Sequence, residues 1–258
     1  MKFVTVIRKA VVLLFWIALW GAAAYYINQP LLLPSPVAVL VRILDLLFIP
    51  DFWLITGLSL LRITVGILAA IILGCILAVI TASGGFFDDL LSPIKTITKV
   101  TPVASFILLI LIWLDRDIVT AIISAVMVLP VVWNNVETGL QNIDKRLLEM
   151  ARVYKLNHRT KMKRIIGPSI MPYFRSAAQT SIGIGWKAGI AAEVLTVPAH
   201  SIGKMIADSK LYMETIDLFA WTLVVIMISL VIEKVLVASM MTGDNKTNQK
   251  ADGYDRIK

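Results

Sequence analysis

Six long apolar segments, separated by shorter polar stretches, dominate the 258-residue chain. Each approaches or exceeds the roughly 20 residues that an α-helix needs to cross the hydrocarbon core of a bilayer. A backbone in lipid must satisfy its own hydrogen bonds, and a helix does so within one segment. The pattern therefore predicts an all-α integral membrane protein of about six transmembrane helices, at residues 10–27, 55–81, 90–114, 118–140, 168–197 and 215–235.

The third of these segments is interrupted. Lys95, Lys99 and Pro102 leave only the 13 residues 102–114 without a charge. At about 1.5 Å per residue, that length is too short to span a bilayer. We therefore expect a kinked or partly re-entrant helix, whose polar half is covered by protein or faces a water-filled path.

The segments divide the chain into three regions. A basic start followed by an 18-residue apolar stretch predicts a retained first helix rather than a cleaved signal peptide. This helix and the proline-rich outer loop, with its expected short surface helix, make up residues 1–54. Residues 55–241 are expected to form a core of five membrane helices that includes the loop 141–167, and residues 242–258 a cytoplasmic tail.

The charge distribution indicates how the chain is oriented. Of the 25 Lys and Arg residues, eight lie in the single stretch 141–167. With both termini in the cytoplasm, 18 Lys and Arg lie inside and four outside, as the positive-inside rule requires. The net charge of +8 is then explained by topology, so we expect contact with membrane lipid and no nucleic-acid partner.

The basic stretch 141–167 has an amphipathic pattern. Leu147, Met150, Ala151 and Tyr154 follow i, i+3, i+4, i+7 spacing and predict one apolar helix face. Asp144 and Asn157 are predicted N-caps of two short helices, and Gly167 with Pro168 is expected to break the chain before the next span. From the pattern alone, an interfacial helix lying on anionic lipid is an equal alternative to a docking helix.

The spacing within this loop resembles that of permeases from ATP-binding-cassette importers. Their loop reads Glu-Ala-Ala, three residues, Gly, nine residues, Ile, one residue, Leu-Pro. Three positions of this chain depart from that pattern. Because the glycine position is one of them, we expect Asn157 to adopt the left-handed conformation of the turn instead. The matching residues are Glu149, Ala151, Ile165 and Pro168, and the departures are Met150, Lys155 and Gly167.

Further short strings resemble the sulfonate, taurine and nitrate branch of that family. They are residues 33–36, residues 59–62 with Gly66, residues 143–144 with 149–152, and Trp186 with residues 192–193. The resemblance implies a type I importer permease fold, forming a homodimer that carries a small, anionic solute. Related permeases also carry vitamin precursors, and the sequence does not decide between these solutes.

The resemblance also implies partners and a coupling site. The loop is then a coupling helix that docks on a separate ATPase subunit, and an extracytoplasmic binding protein delivers the solute. ATP and Mg²⁺ belong to the ATPase, and no cofactor is expected in this chain. The implied coupling residues are Leu147, Glu149, Met150, Ala151, Tyr154 and Lys155.

The sequence contains no catalytic motif that makes this chain an enzyme. The phosphate-binding pattern G-x-x-x-x-G-K-[ST] is absent, as are H-E-x-x-H and G-x-S-x-G. The two histidines, His158 and His200, are expected on opposite sides of the membrane. ATP hydrolysis is therefore expected in another polypeptide.

Polar residues within the third and fifth segments are candidates for the solute path. Their threonine and serine hydroxyls alternatively bond back to their own helix. Three roles are open for Lys187: it forms an ion pair, for which Glu193 is a candidate; its side chain extends to the membrane interface; or its ammonium group contacts the anionic solute. Gly185 and Gly189 predict close helix packing, and Arg62 is expected to be structural. The path candidates are Thr98, Thr101, Ser105, Thr180, Lys187 and Glu193.

Two other classes of function compete with an ATP-driven importer. A secondary transporter or channel requires intramembrane acids arranged for protons or Na⁺, and Glu193 and Glu233 are too few to favour it. A structural membrane subunit requires no conduction path, and the polar face of the third segment argues against it.

Overall fold

Apolar runs of helical length become helices throughout the part of the chain that can be described. A computed structural model describes the backbone of residues 2–255 and the side chains of residues 7–235. Those residues contain no strand, so the all-α prediction is confirmed. The helices are α1 (Lys2–Ile27), α2 (Pro36–Leu47), α3 (Pro50–Thr81), α4 (Phe86–Val100), α5 (Val103–Ile110), α6 (Arg116–Gln141), α7 (Lys145–Val153), α8 (His158–Lys161), α9 (Gly167–Thr196), α10 (Ile202–Leu211) and α11 (Thr215–Asp255), with a π-helical turn at Met162–Ile166.

Within the described part of the chain, four helices are long and apolar enough to cross a membrane by themselves: α1, α3, α6 and α11. The pair α4 and α5 makes a fifth span if the two helices are taken together, and otherwise a re-entrant loop; its bend of 107° confirms the expected break in the third segment. Helix α9 has 30 residues, or about 45 Å, and is long enough to span although it is more polar. The prediction of about six spans agrees with this set. The predicted tail 242–258 lies outside the residues whose side chains are described.

Residues 1–59 and 197–228 form one compact unit. The predicted surface helix of the proline-rich loop is α2, which Ser35 caps by accepting a hydrogen bond from the Ala38 N–H. On α2, Arg42 donates two hydrogen bonds to Asp217 at 2.5 and 2.7 Å. That bidentate contact raises the pKa of the Arg42 guanidinium above its ordinary value. The pair therefore ties α2 to the start of α11.

Residues 60–196, with the described residues from 229 onward, form the second unit, in which small residues let the helices approach closely. A Cβ at Gly189 would lie 2.5 Å from Ser124 Oγ, and one at Gly185 would lie 2.6 Å from Ile67 Cγ1. At Gly66 a Cβ would collide with the carbonyl oxygen of Ala121. The expectation of close packing at Gly185 and Gly189 is confirmed, and it brings α3, α6 and α9 together.

Two groups of paired charges mark the two ends of α6. Near its start, Arg62 of α3 lies 2.6 Å from Asp117 and 3.8 Å from Glu193 of α9. Near its end, Glu137 pairs with Lys95 of α4. The two acids of α6 are 20 residues apart, which corresponds to about 30 Å, the thickness of a hydrocarbon core. The expected structural role of Arg62 agrees with its pairing.

Candidate functional site

The loop between α6 and α9 is a helical hairpin with capped ends. Asp144 caps α7 by accepting a hydrogen bond from the Arg146 N–H at 2.8 Å. The helix ends in two backbone hydrogen bonds, from Leu156 N–H to Ala151 O at 2.9 Å and from Lys155 N–H to Arg152 O at 3.1 Å. This is a Schellman motif, which satisfies carbonyl groups that the end of a helix leaves free. The predicted N-cap is confirmed.

The left-handed residue of this turn is Lys155, with φ of +47°. The expectation that Asn157 takes this conformation is wrong, because Asn157 has φ of −67° and extended ψ. In a Schellman motif the residue after the C-cap must be left-handed, and that residue is Lys155. Asn157 comes two residues later and caps α8, accepting from the Thr160 N–H at 2.8 Å, as predicted.

The predicted apolar face of α7 is divided by the fold. Leu147, Met150 and Tyr154 are exposed, whereas Ala151 is only 4% exposed. Ala151 packs in a cluster with Ile143, before α7, and Ile165, in the π-helical turn. The Ala151 side chain therefore stabilises the hairpin from inside and is not available for contact with a partner.

The exposed side of α7 includes one residue that the sequence pattern missed. Val153 is 77% exposed and lies three residues after Met150. Glu149 is exposed beside this surface. We call Leu147, Met150, Val153 and Tyr154 the exposed apolar face of α7. This face excludes Ala151, which packs inside the hairpin, and includes Val153, which the spacing did not indicate.

The hairpin joins α9 without a break. The expectation that Gly167 and Pro168 interrupt the chain is wrong, because Gly167 has helical dihedral angles (φ −55°, ψ −54°) and α9 starts there. A proline in the first turn of a helix removes no N–H that the helix needs. The π-helical turn Met162–Ile166 therefore runs directly into α9.

The candidate threonines of the path bond to their own helices. Thr98 Oγ1 donates to Ile94 O at 3.0 Å, Thr101 Oγ1 to Ile97 O at 2.6 Å, and Thr180 Oγ1 to Ser176 O at 3.0 Å. Thr98 and Thr101 line a cavity of about 10 Å³, which is at the lower limit for one water. Ser105 is exposed. In this conformation these residues do not enclose a solute.

Lys187 and Glu193 are on different sides of α9. Glu193 is fully buried and pairs with Arg62, so the ion pair considered for Lys187 and Glu193 does not form. Lys187 is exposed on the side of α9 opposite the packed Gly185 and Gly189. We call Ser176, Thr180, Gly183 and Lys187 the polar stripe of α9; a Cβ at Gly183 would meet open space.

A second polar group forms around Lys95, for which the sequence predicts only a charge on the cytoplasmic side. Lys95 pairs with the buried Glu137, and its ammonium lies 5.3 Å from the centre of the Trp133 ring. Trp133 Nε1 in turn donates to Thr81 Oγ1 at 2.9 Å. The signal that could have indicated this group is Glu137 itself, an acid at the end of an apolar run.

Known proteins resemble this chain over most of its length. The family described as the binding-protein-dependent transport system inner membrane component matches residues 66–241. The putative aliphatic sulfonates transport permease of Bacillus subtilis (strain 168) is 23% identical, covering 82% of this chain and 75% of that protein. The nitrate import permease of Synechocystis sp. (strain PCC 6803) is 29% identical, covering 79% and 77%.

A third relative, the taurine transport system permease of Escherichia coli (strain K12), is 22% identical and covers 87% of this chain and 82% of that protein. The family match covers more than half of the chain and includes the whole helical hairpin. The chain is similar to permeases of the sulfonate, taurine and nitrate branch, and it belongs to the inner membrane components of binding-protein-dependent transport systems, the permeases of ATP-binding-cassette importers.

Proposed function

We propose that this chain is the transmembrane permease subunit of an ATP-driven importer, and that α7 is the coupling helix that docks on a separate ATPase. The exposed apolar face of α7 is the observation that carries this proposal. A surface of apolar side chains held on a doubly capped helix suits a complementary protein groove. Glu149 at its edge is placed for a charge-assisted contact with a basic partner.

The hairpin provides a route from the ATPase to the membrane helices. The cluster around Ala151 includes Leu140 of α6 and Ile170 of α9, besides Ile143 and Ile165. A displacement of α7 is therefore passed to both α6 and α9, because closely packed side chains transmit strain. The same two helices pack on each other through Gly189. Closure of the ATPase then moves α6 and α9 as a pair.

The polar stripe of α9 supports a path formed with a second copy of this chain. Lys187 follows Arg175 by 12 residues and precedes Glu193 by six, about 18 and 9 Å along the helix, so it lies within the span. A lysine facing hydrocarbon at such a depth is costly. Water and a second permease cover this stripe in a homodimer, with the path between the two chains.

The solute proposed for this path is small and anionic. The relatives are named for transport of nitrate, taurine and aliphatic sulfonates. The ammonium of Lys187 is the group on the polar stripe that attracts an anion. An extracytoplasmic binding protein delivers the solute to this path. Both termini of the chain are cytoplasmic. ATP and Mg²⁺ bind to the separate ATPase.

An ATP-independent transporter is less consistent with the buried acids. Proton or Na⁺ coupling uses intramembrane carboxylates that titrate or coordinate ions. Here Glu193 pairs with Arg62, and Glu137 pairs with Lys95. Both carboxylates are engaged in ion pairs that hold helices together.

Two measurements test the proposal. Single cysteines replacing His158 and His200, each in a Cys75→Ser background, are labelled with an impermeant thiol reagent; we expect His158→Cys to react from the cytoplasmic side and His200→Cys from the outside. Affinity purification of the permease from cells that coexpress the ATPase should recover both subunits. Labelling of both positions from one side, or recovery of the permease without the ATPase, contradicts the proposal.

A further inference from the structure

Helix α4 lies between two points at which the chain changes direction. Before it, Gly84 and Gly85 have φ of +67° and +85°, a conformation that glycine adopts without strain. After it, Thr101 and Pro102 are extended, and the axis turns by 107° into α5. The 15 residues of α4, which include Pro93, therefore form a helical segment with a turning point at each end.

Apolar packing holds α4 only weakly within its own chain. None of its residues is buried. Its large apolar side chains, including Phe86, Leu90, Ile94 and Ile97, point outward and are exposed. They follow helical spacing and form one stripe on the side away from α6. Little buried area therefore fixes α4 against α6.

One polar side chain of α4 reaches inward. Lys95 pairs with Glu137 of α6, whose side chain is almost completely buried. The ammonium also lies over the ring of the buried Trp133, which donates to Thr81 at the end of α3. Among the described side chains, this is the ion pair that joins α4 to α6, and Trp133 extends the connection to α3.

We propose that α4 is a hinged arm at the cytoplasmic end of the path, and that the Lys95–Glu137 pair is the latch that keeps it closed. This rests on the proposed function, because the driving motion comes from α7. Glu137 lies four residues before Gln141, about 6 Å from the end of α6 that leads into α7. A movement of α7 therefore reaches Glu137 directly.

The latch couples opening of the arm to entry of water. Separating the two charges in a dry environment leaves each without a partner, which is strongly unfavourable. Water that solvates both groups removes this penalty. The pair thus stays closed while the helices are packed and opens when α6 moves and the path is hydrated. Lys95 and Glu137 act as positioning residues, since they set the place of α4 and need not touch the solute.

The test is a distance measured by electron paramagnetic resonance between spin labels at Leu90→Cys on α4 and Asn142→Cys after α6, in a Cys75→Ser background. In the wild-type transporter, we expect the distribution to shift between the nucleotide-free and the ATP-bound complex. Lys95→Met and Glu137→Gln should shift it toward the open form without ATP. The charge exchange Lys95→Glu/Glu137→Lys should restore the closed distance.

Lys99→Met is the matched control, because it removes an exposed lysine one turn further along the same helix. It should leave the distribution unchanged. An identical distribution in both nucleotide states, or a Lys95→Met distribution equal to that of Lys99→Met, overturns the latch. Failure of Glu137→Gln to fold leaves Lys95→Met and the charge exchange as independent tests. The same variants are also measured on the permease without the ATPase, where the closed latch does not depend on coupling. This second measurement distinguishes a failure of the latch from a failure of the proposal that α7 is the coupling helix.

Discussion

Glu193 on α9 and Arg62 on α3 form an ion pair, with 3.8 Å between Oε1 and Nη1 and no solvent exposure of the glutamate. Asp117 of α6 completes the group at 2.6 Å from the same guanidinium. One arginine thus connects three helices. Glu193 depends most on this arginine, because removal of Arg62 would leave a fully buried carboxylate without compensation, whereas the Asp117 side chain is 58% exposed.

Arg62→Met is therefore expected to destabilise the folded permease by about 3–5 kcal/mol, since it leaves the buried Glu193 without its cation. The double variant Arg62→Met/Glu193→Gln should recover part of that loss. Thermal unfolding of the detergent-purified protein measures both. Arg116→Met, which removes an exposed arginine next to Asp117, is the control; equal loss in the control and in Arg62→Met contradicts the role of the pair.

Lys155→Gly is expected to stabilise the hairpin, by roughly 1 kcal/mol, because Lys155 has φ of +47° and glycine adopts that conformation without a Cβ clash. Asn157→Ala should have the opposite effect and destabilise by about 0.5–2 kcal/mol through loss of the N-cap. Rates of limited proteolysis within residues 141–167 report both changes. Stabilisation by Asn157→Gly in place of Lys155→Gly would indicate that the turn lies at Asn157 after all.

Charges placed on the two sides of α7 should have different consequences. Met150→Asp introduces a charge on the exposed apolar face and is expected to release the ATPase at normal permease yield. Ala151→Asp places the charge inside the cluster with Ile143 and Ile165 and should lower the yield of folded permease. Glu149→Ala should weaken coupling by about 1.5–3 kcal/mol while protein level stays normal.

Copurified ATPase, solute uptake and permease yield are the three readouts for these variants, with Arg159→Ala as a nearby charge control. If Met150→Asp, Glu149→Ala and Arg159→Ala all retain the ATPase and transport like wild type, α7 is not the coupling helix. The alternative that this loop lies on anionic lipid then takes its place.

The packing of α9 provides a prediction with an internal control. Gly189→Ala places a methyl group against Ser124 and Ile63 and is expected to cost about 1–3 kcal/mol through overpacking. Gly183→Ala lies on the same helix where a Cβ meets nothing within 4 Å, and it should be neutral. Thermal unfolding compares the two. Equal stability of both variants contradicts the close approach of α9 to α3 and α6.

The sequence was sufficient for those features that depend on local pattern. Apolar runs of membrane length located the spans, and Lys95, Lys99 and Pro102 located the break that separates α4 from α5. Asp144 and Asn157 were found as caps, because a short polar side chain before a helix satisfies nearby N–H groups. The match between the loop and the residue spacing of the family likewise needs only the sequence.

Features that depend on tertiary packing were not predictable in the same way. Lys95 and Glu137 are 42 residues apart, and nothing local indicates that a lysine assigned to the cytoplasm returns to a buried acid. The direction of Ala151 depends on the later Ile165, which packs against it. Glu193 had a nearer candidate partner in Lys187, but helix geometry places the two on different sides of α9.

The central claim is that this chain conducts an anionic solute only when a separate ATPase drives it, with Lys187 in the path. The most direct measurement is uptake of labelled nitrate, taurine or an alkanesulfonate into proteoliposomes that contain the permease and the binding protein, with the ATPase and ATP present or omitted. We predict accumulation of at least one of these solutes that requires both ATPase and ATP, that is lost in Lys187→Met at normal complex yield, and that is retained in part in Lys187→Arg. Accumulation without the ATPase, uptake of a vitamin precursor in place of all three solutes, or normal transport by Lys187→Met would contradict the account.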